Sequence, residues 1–228
     1  KTIIFLGIVD LKMENLPTVA PKEPSNLIDY KMYDIELCRT KQIELCNALC
    51  EISGRVSEKL DNVHIPSQKD PKLRHEHNAD RPNVSWCYGY YNIFGCSAGN
   101  TIMYDLYCQM RAAIRDYIGD NSRAWMQCWV NTHSVDDLMA YHNHSYPIHG
   151  YVSIYPQNTS TVFYKGKEET HRVQNEVGKL YIGPGKTPHE VVADGPPHEP
   201  DAPRITIAFN IIRESDNGSD LSMSFIPI

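Results

Sequence analysis

No stretch of this chain approaches the roughly 18–20 consecutive apolar residues that a membrane-spanning helix needs. Positive charge is also scarce. Lys and Arg number 22 against 28 Asp and Glu, a formal net charge of −6, and no long basic run exists. A surface that coats nucleic acid therefore has no electrostatic support. The seven cysteines contain no C-x-x-C pair. Cys38, Cys46 and Cys50 fall inside a helical pattern, where they serve as small apolar residues, and this usage suits a reducing, cytoplasmic setting. Internal repeats and low-complexity tracts are missing as well. The opening "KTIIFLGIVDLK" lacks a small-residue cleavage site, and Asp10 and Lys12 follow its apolar run directly. It reads as a strand rather than a signal peptide.

What remains is an ordinary globular composition, 41% hydrophobic and 22% charged over 228 residues, enough for one well-buried core. Leu45, Leu49, Ile52, Val56 and Leu60 recur at three- and four-residue steps and predict an amphipathic helix over about 35–60. Ile102, Leu106, Met110, Ala113 and Tyr117 predict a second over about 100–118, with Asn100 as N-cap and Gly119 as its stop. Between them, the polar, proline-containing stretch 64–83 reads as an exposed loop. After residue 122 the texture changes to "AWMQCWVNTH", "GYVSIYPQ", "STVFYKG", "GKLYIG", "EVVADG" and "PRITIAFNII". Short β-branched and aromatic runs, with no helix between them, predict an antiparallel sandwich or barrel. The fold class is mainly β. Residues 1–121 would form a strand, helices and loop packed on a core at 122–228, within one compact domain.

The chemistry-bearing residues cluster in that second half. His142 and His144 stand at i and i+2, so on extended backbone their side chains share a face. Two imidazoles so placed can reach one metal at about 2.0–2.1 Å. The same pattern at His75 and His77 lies in the polar loop and reads as solvated. His189 follows a Gly-Pro-Gly turn and precedes a strand, offering a third ligand. Arg204 shares a strand face with Thr206 and Ala208, and an Arg turned inward there must find an anion. A dicarboxylate would provide one through a bidentate fork.

Trp129-Val130-Asn131, His142-x-His144, "GYVSIYP", "PGKTPH" and "RITIAFN" together resemble the iron(II)- and 2-oxoglutarate-dependent oxygenases, in particular their phage and marine-bacterial branch. The likeness covers about residues 122–212. It implies a double-stranded β-helix (jelly-roll, cupin-like) barrel with supporting N-terminal helices. It further implies iron(II) held by His142, His144 and His189, and 2-oxoglutarate held by Arg204 with help from Thr206. Tyr155 has a polar tip that could reach the co-substrate carboxylate, while Trp129, Asn131, Tyr151 and Phe163 could line the pocket or pack as core. The implied reaction is hydroxylation of a small-molecule or peptide substrate, with release of succinate and CO2.

One departure from the family pattern bears on the metal. None of the ten histidines is followed at i+2 by Asp or Glu, whereas the usual triad is two histidines and a carboxylate. Three readings remain open: His144 takes the carboxylate's place, Asp136 or Asp137 reaches in, or His149-Gly150 leaves a position for a halide. Two rival functions also stand beside the oxygenase. A cupin-type three-histidine dioxygenase or isomerase would not need Arg204 or Thr206. A metal-free barrel would use the histidines only as hydrogen-bond donors.

Overall fold

The computed structural model describes residues 30–60, 88–133, 138–216 and 224–228. The expected strand in 1–12, the 64–83 loop with His75 and His77, and Asp136 and Asp137 lie outside the described residues.

Helix α1 spans Arg39–Leu60 and buries Leu45, Leu49, Ile52 and Val56 of the expected stripe together with Ala48, while Leu60 at its end is half-buried. It starts later than periodicity suggests because Ile35 is tied elsewhere, its N–H donating to Gly178 O at 2.8 Å. A single turn, α2 (Ile93–Cys96), was not foreseen; Asn92 caps it through the Phe94 N–H. Helix α3 spans Thr101–Ile118. The Asn100 side chain accepts from the Met103 N–H, and the left-handed Gly119 closes the other end. Its buried face is Met103, Leu106, Met110, Ala113 and Ile114, so the expected Ile102 and Tyr117 sit at the edges of that face.

The strands are β1 (Lys31–Asp34), β2 (Ala124–His133), β3 (Ile148–Tyr155), β4 (Thr159–Lys165), β5 (Glu168–Gln174), β6 (Lys179–Pro184), β7 (His189–Ala193), β8 (Arg204–Arg213) and β9 (Phe225–Pro227). A six-stranded sheet has the order β1-β6-β3-β8-β2-β9, and a three-stranded sheet the order β5-β4-β7. Every pairing is antiparallel. Between β2 and β3 the chain visits the smaller sheet. There His142 and His189 exchange backbone hydrogen bonds of 2.9 and 2.8 Å, and the Val191 N–H donates to Met139 O at 2.9 Å.

From β2 to β8 the chain thus crosses repeatedly between two facing sheets, and sheet neighbours come from distant parts of the sequence. That strand order is the double-stranded β-helix, or jelly roll. The two sheets face each other without a closing ladder among the described residues. Helices and strands contribute to one hydrophobic cluster, from Leu45 and Met110 to Val152 and Phe209.

The larger sheet has two unlike faces. Period-two alternation along β8 turns Ile205, Ile207, Phe209 and Ile211 to the helix side, while Arg204, Thr206 and Ala208 line a cavity against the smaller sheet. Gly150 shows how tightly the helix side is packed. A Cβ there would lie 2.2 Å from Phe209 Cζ and 2.4 Å from Tyr181 O, so only hydrogen fits.

Gly150→Ala should accordingly destabilise the protein by about 1–3 kcal/mol, the usual cost of overpacking. Calorimetry should show a melting temperature lower by several degrees. An unchanged melting temperature would mean that β3 and β8 can separate freely at this point.

Candidate metal centre

The candidate ligands come from two backbone segments that hold each other. His142 and His144 lie on the short stretch between β2 and β3, and His189 opens β7. Gly185 allows the close approach. A Cβ on Gly185 would lie 2.1 Å from Tyr146 O, and the Gly185 carbonyl accepts from the His144 N–H at 2.8 Å. The "GPG" turn seen in the sequence thus presses His144 toward His189.

The outcome is a compact group. The ligating atoms of His142, His144 and His189 all lie within 4.8 Å of one another. Ring centroids are 4.4 Å apart for His142 and His189, 5.2 Å for His142 and His144, and 5.3 Å for His144 and His189. His142 Nδ1 lies 2.7 Å from Ala140 O, and His189 Nδ1 lies 3.0 Å from Thr187 O. A carbonyl can only accept, so both rings carry their proton on Nδ1 and leave Nε2 as the free donor atom. His144 Nε2 is buried and has no hydrogen-bond partner.

Electrostatics favours the metal-binding form. Burial, reinforced by His189 and His142, pushes the His144 pKa down to about 3. Burial likewise pushes His189 down to about 4. Both rings are neutral at physiological pH, which ligation requires. Imidazole ligands suit iron, zinc, copper or nickel. The orphaned His144 Nε2 and the two fixed tautomers fit a resident metal ion.

The same cavity holds a positive charge, the guanidinium of Arg204. Arg204 is 3% exposed, and its Nε has no hydrogen-bond partner. Among the described residues no carboxylate forms an ion pair with it. Desolvation lowers its pKa to about 10. Around it lie Thr206, Tyr151 and Thr161. Tyr151 Oη and Ser153 Oγ are also buried without partners. Thr161, on β4, is a cavity residue that sequence reasoning missed, because one hydroxyl in a strand gives no signal.

Not every expected residue arrives here. Trp129, Asn131 and Tyr151 line the cavity, and Trp129 Nε1 donates to Asn131 Oδ1 at 3.0 Å. Phe163 packs beneath it, stacked on His171 at 4.3 Å and tilted against His189 at 5.4 Å. Tyr155 is placed elsewhere. A bulge shifts the register between Ser153 and Tyr155, pairing Tyr155 with Ile205. Tyr155 therefore lines a separate cavity beneath α1 with Ile205 and Thr132, because the extra residue of a bulge puts later side chains on the opposite face. Gly150 also turns away from the histidines, toward Phe209, so it opens no halide position beside His149.

No family model and no curated protein sequence matches the chain. Among solved structures the chain is similar to an oxidoreductase of the 2OG-Fe(II) oxygenase family from Burkholderia pseudomallei, at 12% identity and TM-score 0.39. That match covers 52% of this chain and 55% of the other, about half of each. It is also similar to the non-haem α-ketoglutarate-dependent epimerase SnoN from nogalamycin biosynthesis, at 16% identity, TM-score 0.46, and 80% and 77% coverage. The carbocyclase SnoK from the same biosynthesis aligns at 9% identity, TM-score 0.49, and 80% and 78% coverage.

Replacing His142, His144 or His189 by Ala should remove stoichiometric cobalt(II) binding in titration calorimetry. Full affinity retained in any one variant would take that ring out of the donor set. In the metal-free protein, His144 and His189 have folded pKa values below the unfolded value of about 6.5. His171, stacked between Tyr30 and Phe163, is likewise lowered to about 4 by burial. Below pH about 6.5 the unfolded chain binds more protons at these rings, so their contribution to stability falls as pH drops toward 4. Urea midpoints at pH 7.5, 6 and 5 should decline in that order, and His171→Phe should make the decline shallower. A wild-type midpoint that holds steady across this range contradicts the buried, neutral histidines.

Proposed function

We propose that this protein is a non-haem iron(II)- and 2-oxoglutarate-dependent oxygenase that hydroxylates a small-molecule or peptide substrate, releasing succinate and CO2. The observation that carries the proposal is Arg204, a buried guanidinium without a carboxylate partner among the described residues, in the same cavity as His142, His144 and His189. Leaving a charge buried and unpaired is costly, and a dianionic co-substrate bound in this cavity would remove the cost.

His142, His144 and His189 would hold the iron through their neutral nitrogens. When bound, the metal supplies oxygen activation coupled to decarboxylation of the 2-oxo acid. Arg204 would take the distal carboxylate in a two-point contact. Thr206 and Tyr151 line the same cavity and would offer that carboxylate their hydroxyls. Trp129, Val191 and Ala208 form apolar walls, which exclude water and strengthen the charge pairing inside. Tyr155 has no part in this arrangement, since it lies beneath α1. The donor set has no carboxylate among the described residues, and that observation favours a second reading, a cupin-type three-histidine enzyme that does not use 2-oxoglutarate.

The two readings separate on one titration. A hydrogen bond to a charged group contributes about 1.5–3 kcal/mol, and a bidentate pair lies at or above the upper end. Arg204→Ala should then weaken 2-oxoglutarate binding to the iron-loaded protein by about two orders of magnitude or more. Metal affinity should hardly change. Arg204→Lys should recover only part, because an ammonium cannot reproduce the planar fork. Wild-type protein should also release succinate from 2-oxoglutarate slowly without added substrate. Equal affinity in wild type and Arg204→Ala, or no binding to wild type, would decide for the cupin-type enzyme.

A further inference from the structure

His142 and His189 are each oriented by a backbone carbonyl two residues earlier, Ala140 O and Thr187 O. His144 has no such bond; its Nε2 is buried and unpartnered. What touches its ring is a fourth histidine. His149 lies face to face with His144, centroids 3.5 Å apart and planes 13° from parallel.

His149 is itself firmly held. It is 4% exposed and sits on β3, where the register sets Gln127, Asn210 and His149 in one row across three strands. Asn210 Nδ2 donates to Gln127 Oε1 at 2.8 Å, and Gln127 Nε2 donates to Ser224 Oγ at 2.8 Å. Those bonds fix the Asn210 amide with its oxygen toward His149 Nδ1, 3.3 Å away. His149 therefore carries its proton on Nδ1 and keeps a set ring plane.

His149 is too close to His144 to be a fourth ligand. An imidazole bound at 2.0–2.1 Å has its centroid about 3.2 Å from the metal, so two rings at right angles on one ion lie about 4.5 Å apart. Two nearly parallel rings at 3.5 Å do not share an ion.

We propose that His149 is a positioning residue, clamped by Asn210, whose ring face fixes the plane of His144 in place of the carbonyl hydrogen bond that orients His142 and His189. The proposal rests on the metal reading of the three-histidine cluster. It gives the large sheet a direct hold on a ligand that otherwise sits on irregular backbone. Residues that orient metal-bound histidines typically cost about 10–100-fold in metal affinity when replaced.

The test uses cobalt(II) as probe on the full chain, with thermal unfolding to confirm that each variant folds. His149→Gln keeps a polar partner for Asn210 but removes the ring face. It should weaken cobalt binding by about 10–100-fold and shift the ligand-field spectrum at saturating metal. His149→Phe keeps the face and should recover most of the affinity and the wild-type spectrum. Asn210→Ser, which frees His149 without changing either ring, should weaken binding in the same direction by a smaller factor, and it gives a reading even if the Phe variant fails to fold. Copper(II)-loaded wild type should show three coupled nitrogens by electron paramagnetic resonance. Equal affinity and spectra in wild type and His149→Gln would overturn the proposal. So would equal impairment of the Gln and Phe variants, or a fourth coupled nitrogen that disappears in His149→Phe. A wild type that binds no cobalt would instead remove the metal reading beneath it.

Discussion

Ala124–His133 and Arg204–Arg213 pair residue for residue along their whole length, and β3 pairs with the other edge of β8. This three-strand ladder carries the arrangement of the cavity. Because side chains alternate, it sets rows of inward residues across β2, β8 and β3. Gln127, Asn210 and His149 form one row, Trp129, Ala208 and Tyr151 the next, and Asn131, Thr206 and Ser153 a third. His133 and Arg204 pair at the far end. A one-residue slip of β8 would move Arg204 and Thr206 to the helix side and carry Ile205 and Ile207 into the cavity. The apolar packing of Phe209 against Gly150 resists such a slip.

The cavity tolerates polar burial in two ways. His144 and His189 avoid the cost of a buried charge by staying neutral, burial lowering both. Desolvation holds His149 well below the usual histidine range too. Arg204 cannot take that route, because a guanidinium lowered only to about 10 remains charged. Tyr151 keeps its proton, burial pushing it up to about 12. Among the described residues the cavity therefore presents one cation, uncharged hydroxyls and the neutral rings of His144, His149 and His189, an environment complementary to an anion.

Much of this arrangement was legible in the residues. The α3 caps, the Leu45-to-Val56 stripe and the long strands β2 and β8 all arise from local patterns that packing reinforces. That His142, His144 and His189 come together could be anticipated because the HxH spacing and the histidine after the Gly-Pro-Gly turn are local signals. Strand β5 was not. Its residues "EETHRVQ" lie at the edge of the smaller sheet and are mostly exposed, so they need no apolar alternation. Strands β1 and β9 are too short to show a period.

The classes of element, the alternation that turns Arg204 and Thr206 to one face, and the residue types able to hold a metal are all written in local sequence. Those properties depend on neighbours a few positions away. Which of them meet depends on how the distant segments fold together. The bulge after Ser153 sends Tyr155 to the opposite face, although simple alternation groups it with Tyr151. The stacking of His149 on His144 joins strand and loop, and its support comes from Asn210 and Gln127, far away in sequence. Such contacts depend on register between strands that the chain brings together late, and no short window of residues encodes register.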